Sequence, residues 1–179
     1  MPHPVPEFER ALREHFSAAH RLARWLTRTQ ADAEDALQDA ALRAFRSFDR
    51  LRPTNPRAWL LRIVRNCCLD LRQDRERAGE ASFEEDDLAS DVSSPVLGLP
   101  AEDPEARLVR MANGRALEQA LRALVAEYRE VFLLREVEGL SYKEIADVAG
   151  VPIGTVMSRL SRARGQLRVL IAKGEKETA

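Results

Sequence analysis

The residues best spaced to do chemistry lie near the C-terminus. Ser141 and Glu144 stand three apart just before Ile145, the pattern of a capping box, in which a hydroxyl and a carboxylate each satisfy an amide at a helix start. Gly150 ends this short run and Pro152 follows it, so a tight turn into a second helix is expected. In that second helix Val156, Leu160, Ala163, Leu167 and Leu170 form one apolar stripe. Thr155, Ser158, Arg159 and Arg162, then Met157, Arg164 and Arg168, occupy the other faces. Hydroxyls and guanidinium groups on a helix that fits the major groove bond phosphates and base edges. A charged helix face alone would describe a solvated surface. Cap, glycine turn and basic second helix, in this order, instead predict a helix-turn-helix over residues 140–171 that binds DNA.

A second concentration of donors spans residues 50–73. Arg50, Arg52, Asn55 and Arg57 lie in or beside a segment holding Pro53 and Pro56. Beyond it a helix is expected, with Leu60, Ile63, Val64, Cys67 and Leu71 on one face and Arg62, Arg65, Asn66, Arg72 and Gln73 opposite. Basic groups can track a phosphate backbone, and an Asn can read an exposed base. A solvated helix surface accounts for the same pattern, slightly better on chemistry alone. Trp25 and Trp59 could stack on bases, but tryptophans beside apolar stripes read first as core. A third face, with Asp35, Gln38, Asp39, Arg43 and Arg46 around Leu42, fits a protein-docking surface and an ordinary solvated helix about equally.

Other chemistry is not provided for. The sequence has no evident nucleophile–base pair, no phosphate-binding glycine loop and no cluster of metal-ligating residues, so an enzyme is not expected, nor is a cofactor or metal. Cys67 and Cys68 are adjacent, and neighbours on a helix point about 100° apart. They read as small apolar residues in a reducing compartment rather than as a disulfide or metal site.

The elements that must position these groups are helical. Aromatic residues make up 6% of the 179, which disfavours a sheet protein. Helical periodicity runs over residues 8–29, with Leu12, Phe16, Ala19, Leu22, Ala23 and Leu26 on the apolar face, and over 32–48, with Asp32 as the expected cap. Two prolines are expected to keep residues 49–56 from staying helical. Further helices are expected over 57–77, from Pro104 to about 124, and over 127–137, stopping at Gly139. Between the blocks, residues 78–105 hold nine acids and no base, with scattered Pro, Gly and Ser, as in a flexible linker. Residues 1–77 carry 15 bases against 11 acids, and residues 106–179 carry 13 against nine. Two basic blocks around an acidic one suggest two domains that meet a polyanion. The expected architecture is all-α, with domains over 8–77 and 105–173 joined by a linker over 78–104. With no apolar run long enough for a membrane span and no signal-peptide core, a cytoplasmic location without membrane insertion is expected.

Taken in order, the motifs resemble those of bacterial extracytoplasmic-function (ECF, group 4) sigma factors of RNA polymerase, the minimal sigma factors with only regions 2 and 4. The matching runs are DAEDALQDAALRAF at 32–45, PRAWLLRIVRN at 56–66, LSYKEIA at 140–146 and GTVMSRLSRAR at 154–164. The resemblance implies a subunit that directs core polymerase to specific −35/−10 promoters and starts transcription. It implies that Asp35, Gln38 and Asp39, with Leu42 among them, dock on the clamp helices of the polymerase largest subunit. The loop carrying Arg50, Arg52, Asn55 and Arg57 and the helix carrying Arg62, Arg65 and Asn66 would engage the −10 element as it melts. Thr155, Ser158, Arg159 and Arg162 would read the −35 element. An anti-sigma partner is implied as well. Three positions depart from the family's pattern. Asp39 stands where Glu is usual, Met157 where a basic residue is common in the recognition helix, and Val125 where a proline often separates helices. Other readings are a helix-turn-helix regulator that binds duplex DNA unaided, and a sigma mimic that sequesters an anti-sigma factor. Mimics carry a fused receiver domain, which is not evident here.

Overall fold

The structure is a computed structural model that describes residues 5–51, 53–79 and 104–177, and these form seven helices with no strand among the described residues. The acidic stretch read as a flexible linker lies outside the described residues over 80–103, as does the expected cap Asp103. The first three helices are α1 (Val5–Leu26), α2 (Gln30–Leu51) and α3 (Pro56–Arg77). Alanines at 33, 36, 40 and 44 line the inner face of α2 and are all buried, so neighbouring helices approach closely. They meet Phe8, Ala19 and Ala23 of α1 and Leu60, Val64, Cys67 and Cys68 of α3. Helices α2 and α3 run antiparallel. At one end buried Asp32 pairs with Arg75, and at the other the Phe48 ring lies 5.7 Å from that of Trp59.

Several boundaries differ from the sequence reading. Helix α2 begins earlier than expected, because the Thr29 hydroxyl accepts the Asp32 amide at 3.1 Å. Thr29 thereby supplies the cap expected of Asp32, whose carboxylate is turned to Arg75 instead. Helix α2 also continues to Leu51, into the segment expected to leave the helix; the prolines act only from position 53 on. Phe16 is exposed rather than in the core, and Ala18 and Leu22 take a buried position facing the second half of the chain.

The second half comprises α4 (Pro104–Ala123), α5 (Ala126–Phe132), α6 (Tyr142–Ala149) and α7 (Ile153–Glu177). The helix expected over 127–137 changes character partway: residues Leu133–Val137 form a π-helical turn, closed by the Glu138 amide on the Leu133 carbonyl at 3.0 Å. The widened turn lets consecutive leucines serve different cores. Leu133 joins Ala120, Leu121, Leu124, Ala163 and Leu167, while Leu134 joins Val131, Ile145, Val148, Val156 and Leu160. Gly139, at φ 66°, then reverses the chain.

The two halves are packed together. The second of these cores also takes in Ala18 and Leu22 of α1 and Ala58 and Leu61 of α3, and α3 lies against α6 as α1 lies against α5. Helix α3 is therefore buried on two sides. Leu61, outside the expected stripe, is fully buried.

Candidate nucleic-acid and polymerase interfaces

The helix-turn-helix is built by local chemistry. The Ser141 hydroxyl accepts the Glu144 amide at 3.3 Å, and the Glu144 carboxylate accepts the Ser141 amide at 2.7 Å. Hydrogen bonding to the carboxylate by the Ser141 side chain, and then by its amide, holds the Glu144 carboxyl below its usual range. Gly150 closes α6 in the left-handed region at φ 67°, its amide bonded to the Ala146 carbonyl at 2.9 Å; a side chain is disfavoured there. Val156, Leu160, Ala163 and Leu167 then seat α7 on the core. That seating leaves Met157, Ser158 and Arg162 exposed and Thr155 and Arg159 half-buried. The Ser158 hydroxyl donates to the Thr155 carbonyl at 3.0 Å, the Arg162 guanidinium reaches the Tyr128 hydroxyl at 3.3 Å, and Arg164 pairs with Glu136. The five candidates Thr155, Met157, Ser158, Arg159 and Arg162 thus share the first turns of one seated helix.

The candidates in the first half are more dispersed. Asn55 caps α3, its side-chain oxygen accepting the Ala58 amide at 3.0 Å, with Pro56 as the first helical residue. Its side-chain nitrogen donates to the Glu144 carboxylate. Arg57 reaches Glu138 at 2.7 Å, and Arg65 pairs with Glu130. Arg62 and Asn66 are exposed on the same helix. Arg50 falls in the last turn of α2; its side chain, and Arg52 altogether, lie outside the described residues. Trp59 packs on the Phe48 core, and Trp25 packs beside Leu121 and Leu124 with the Arg122 guanidinium 5.6 Å above its ring.

The third face forms a groove of about 380 Å³ between α2 and α3, lined by Asp35, Asp39, Arg43, Asp70, Leu71 and Asp74 among others. Arg43 bridges Asp39 at 2.7 Å and Asp70 at 2.8 Å, and both bonds hold its guanidinium firmly charged. Asp35, Gln38 and Leu42 are exposed beside it. Cys67 and Cys68 are free and buried, and burial pushes both thiols up to about 12. They stay protonated and poorly nucleophilic at neutral pH.

Sequence reasoning missed Arg21, Glu130 and Glu138. The Arg21 guanidinium donates to Glu138 at 2.9 and 3.0 Å, and both glutamates are buried. No local signal marks them: Glu136, a surface acid paired with Arg164, lies between the two glutamates, whose partners come from more than 60 residues away. Asp70 and Asp74 were also missed, because the groove wall they form comes from a second helix.

The described residues are all helical and hold a helix-turn-helix whose second helix leaves Met157, Ser158 and Arg162 exposed, the arrangement by which proteins of the helix-turn-helix class meet DNA. Comparison with known proteins narrows the class. Sigma-70 region 2 matches residues 11–78 and sigma-70 region 4 matches residues 114–167. The ECF RNA polymerase sigma factor SigM of Mycobacterium tuberculosis is 36% identical over 165 residues, 92% of this chain and 76% of SigM. SigE of Mycolicibacterium smegmatis, also an ECF RNA polymerase sigma factor, is 37% identical over 98% of this chain, which spans 65% of the length of SigE. Among solved structures, the complex of the sigma factor RpoE with the anti-sigma factor NepR from Bartonella quintana matches with a TM-score of 0.70 and 28% identity, over 93% of this chain and 97% of its counterpart. CnrH bound to the cytosolic domain of CnrY matches with a TM-score of 0.59 and 26% identity, over 93% and 88%. The chain belongs to the ECF RNA polymerase sigma factor family.

Proposed function

We propose that the chain is a two-domain sigma factor of the group 4 type, which binds core RNA polymerase in the cytoplasm, directs it to −35/−10 promoters and starts transcription. Residues 8–77 act as the region 2 unit, 105–173 as the region 4 unit and 78–104 as the connection between them. The observation that carries this reading is the pairing, in one chain of this family, of an open α7 face with a separate exposed face on α2. Thr155, Ser158, Arg159 and Arg162 read −35 bases and phosphates, with Met157 offering an apolar contact to the same groove. Arg50, Arg52, Asn55, Arg57, Arg62, Arg65 and Asn66 engage the −10 element. Asp35, Gln38, Asp39 and Leu42 meet the clamp helices of the polymerase largest subunit. An anti-sigma factor holds the chain inactive; the likeness to the sigma factor RpoE solved with the anti-sigma factor NepR supports this partner. No helix among the described residues is long and apolar enough to cross a membrane.

The docking assignment is tested by pull-down with core enzyme. Asp35→Ala combined with Gln38→Ala removes polar groups from an exposed surface. The double variant is expected to keep its circular dichroism and melting temperature and to lose core affinity at least about tenfold, as for the truncation of interface anchors. Unchanged affinity would contradict the assignment.

A further inference from the structure

We infer that region 4 of this chain closes its own region 2 against nucleic acid: Glu130, Glu138 and Glu144 hold Arg65, Arg57 and Asn55 where DNA would otherwise be bound. The inference rests on the assignment of those three residues to the −10 face. Glu138 accepts Arg57 at 2.7 Å and Arg21 at 2.9 Å, Glu130 accepts Arg65, and Glu144 accepts the Asn55 side chain. All four donors belong to α1, α3 or the cap of α3, and all three acceptors lie on α5, α6 or the turn between them. A carboxylate taken out of water is costly unless paired. Both ion-paired acceptors are buried, and the described cations hydrogen-bonded to them come from the other half of the chain. A carboxylate and a phosphate compete for the same guanidinium donors, so these contacts and DNA binding exclude each other.

Burial raises the Glu130 carboxyl, against the pull of Arg65 and then Arg159. Arg159, a −35 candidate, thus adds to the field around the same carboxylate. The seam is also sealed by apolar contact, with Ala58 and Leu61 packed into the core that contains Ile145 and Leu134. The docking candidates on α2 stand apart from it: α2 packs on α1 and α3, and Asp35, Gln38 and Leu42 remain exposed. Polymerase can therefore engage the closed chain, with opening and promoter contact to follow. A closed form populated 99 times in 100 weakens apparent nucleic-acid affinity about 100-fold.

The test uses the full chain without polymerase. Glu130→Gln combined with Glu138→Gln removes both charges and keeps side-chain shape; Arg21→Gln loosens Glu138 without touching a −10 candidate. Binding is read by anisotropy of a labelled single-stranded oligonucleotide of mixed sequence at fixed salt, and compactness by small-angle X-ray scattering. The double variant is expected to bind at least about tenfold more tightly and to expand, and Arg21→Gln to move both readouts the same way by a smaller factor. If the double variant loses its helical circular dichroism, Arg21→Gln decides. Folded variants with unchanged size and affinity, in a chain that still directs initiation by core enzyme, would overturn the lock and leave the proposed function standing. Expansion without gain in affinity would also overturn it. A wild-type chain that never engages core enzyme would remove the −10 assignment and the inference with it.

Discussion

At the scale of single residues, the candidates divide by what they already hold. Arg162 is exposed, and its described side-chain contact is the long bond to Tyr128, so it is available to DNA at little cost to the fold. Arg162→Ala is expected to leave the melting temperature unchanged and to cost the polymerase-bound chain about 1–3 kcal/mol on its promoter if a base edge is read. Anisotropy titrations on promoter and scrambled duplexes measure this, and an equal loss on both would make Arg162 a phosphate contact. Asn55 has a different standing, since it caps α3 and also bonds Glu144. Asn55→Ala is expected to lower stability by about 1 kcal/mol in urea unfolding, the usual worth of such a cap; unchanged stability would contradict its capping role.

At the scale of elements, the long helices and the helix-turn-helix were legible because their signals are local. The capping box at Ser141 and Glu144, the glycine at 150 and the stripe through Leu160 each act within a few residues. What local signals could not give is the second buried side of α3. Leu61 follows Leu60 directly, and one helix face accommodates only one of them; the other has a core to meet only because α5 and α6 fold back over it. For the same reason Arg57 and Arg65 read as a free basic face, although Glu138 and Glu130 come to them from more than 60 residues away. The π turn was equally hidden, since it arises where Leu133 and Leu134 are drawn to different cores. Leu61→Ala is expected to cost roughly 2–5 kcal/mol, the range for a fully buried leucine, seen as a lower urea midpoint. A loss under 1 kcal/mol would mean that the seam contributes little to stability.

At the scale of the whole molecule, the proposed reading gives the chain a face on α2 for protein, a face on α7 for duplex DNA, and a region 2 nucleic-acid face held by its own carboxylates. The acidic and basic blocks of the sequence suggested two units that meet a polyanion; that the two halves of the chain pack on one another through a shared core was not written in composition. Promoter-directed initiation is decided by run-off transcription. Purified chain and core polymerase are combined on genomic fragments, and transcript 5′ ends are mapped. Defined start sites are expected downstream of a shared pair of −35 and −10 sequences, dependent on added chain and lost with the Asp35→Ala and Gln38→Ala double variant. Transcripts with the same scattered ends in the presence and absence of the chain would contradict promoter-directed initiation.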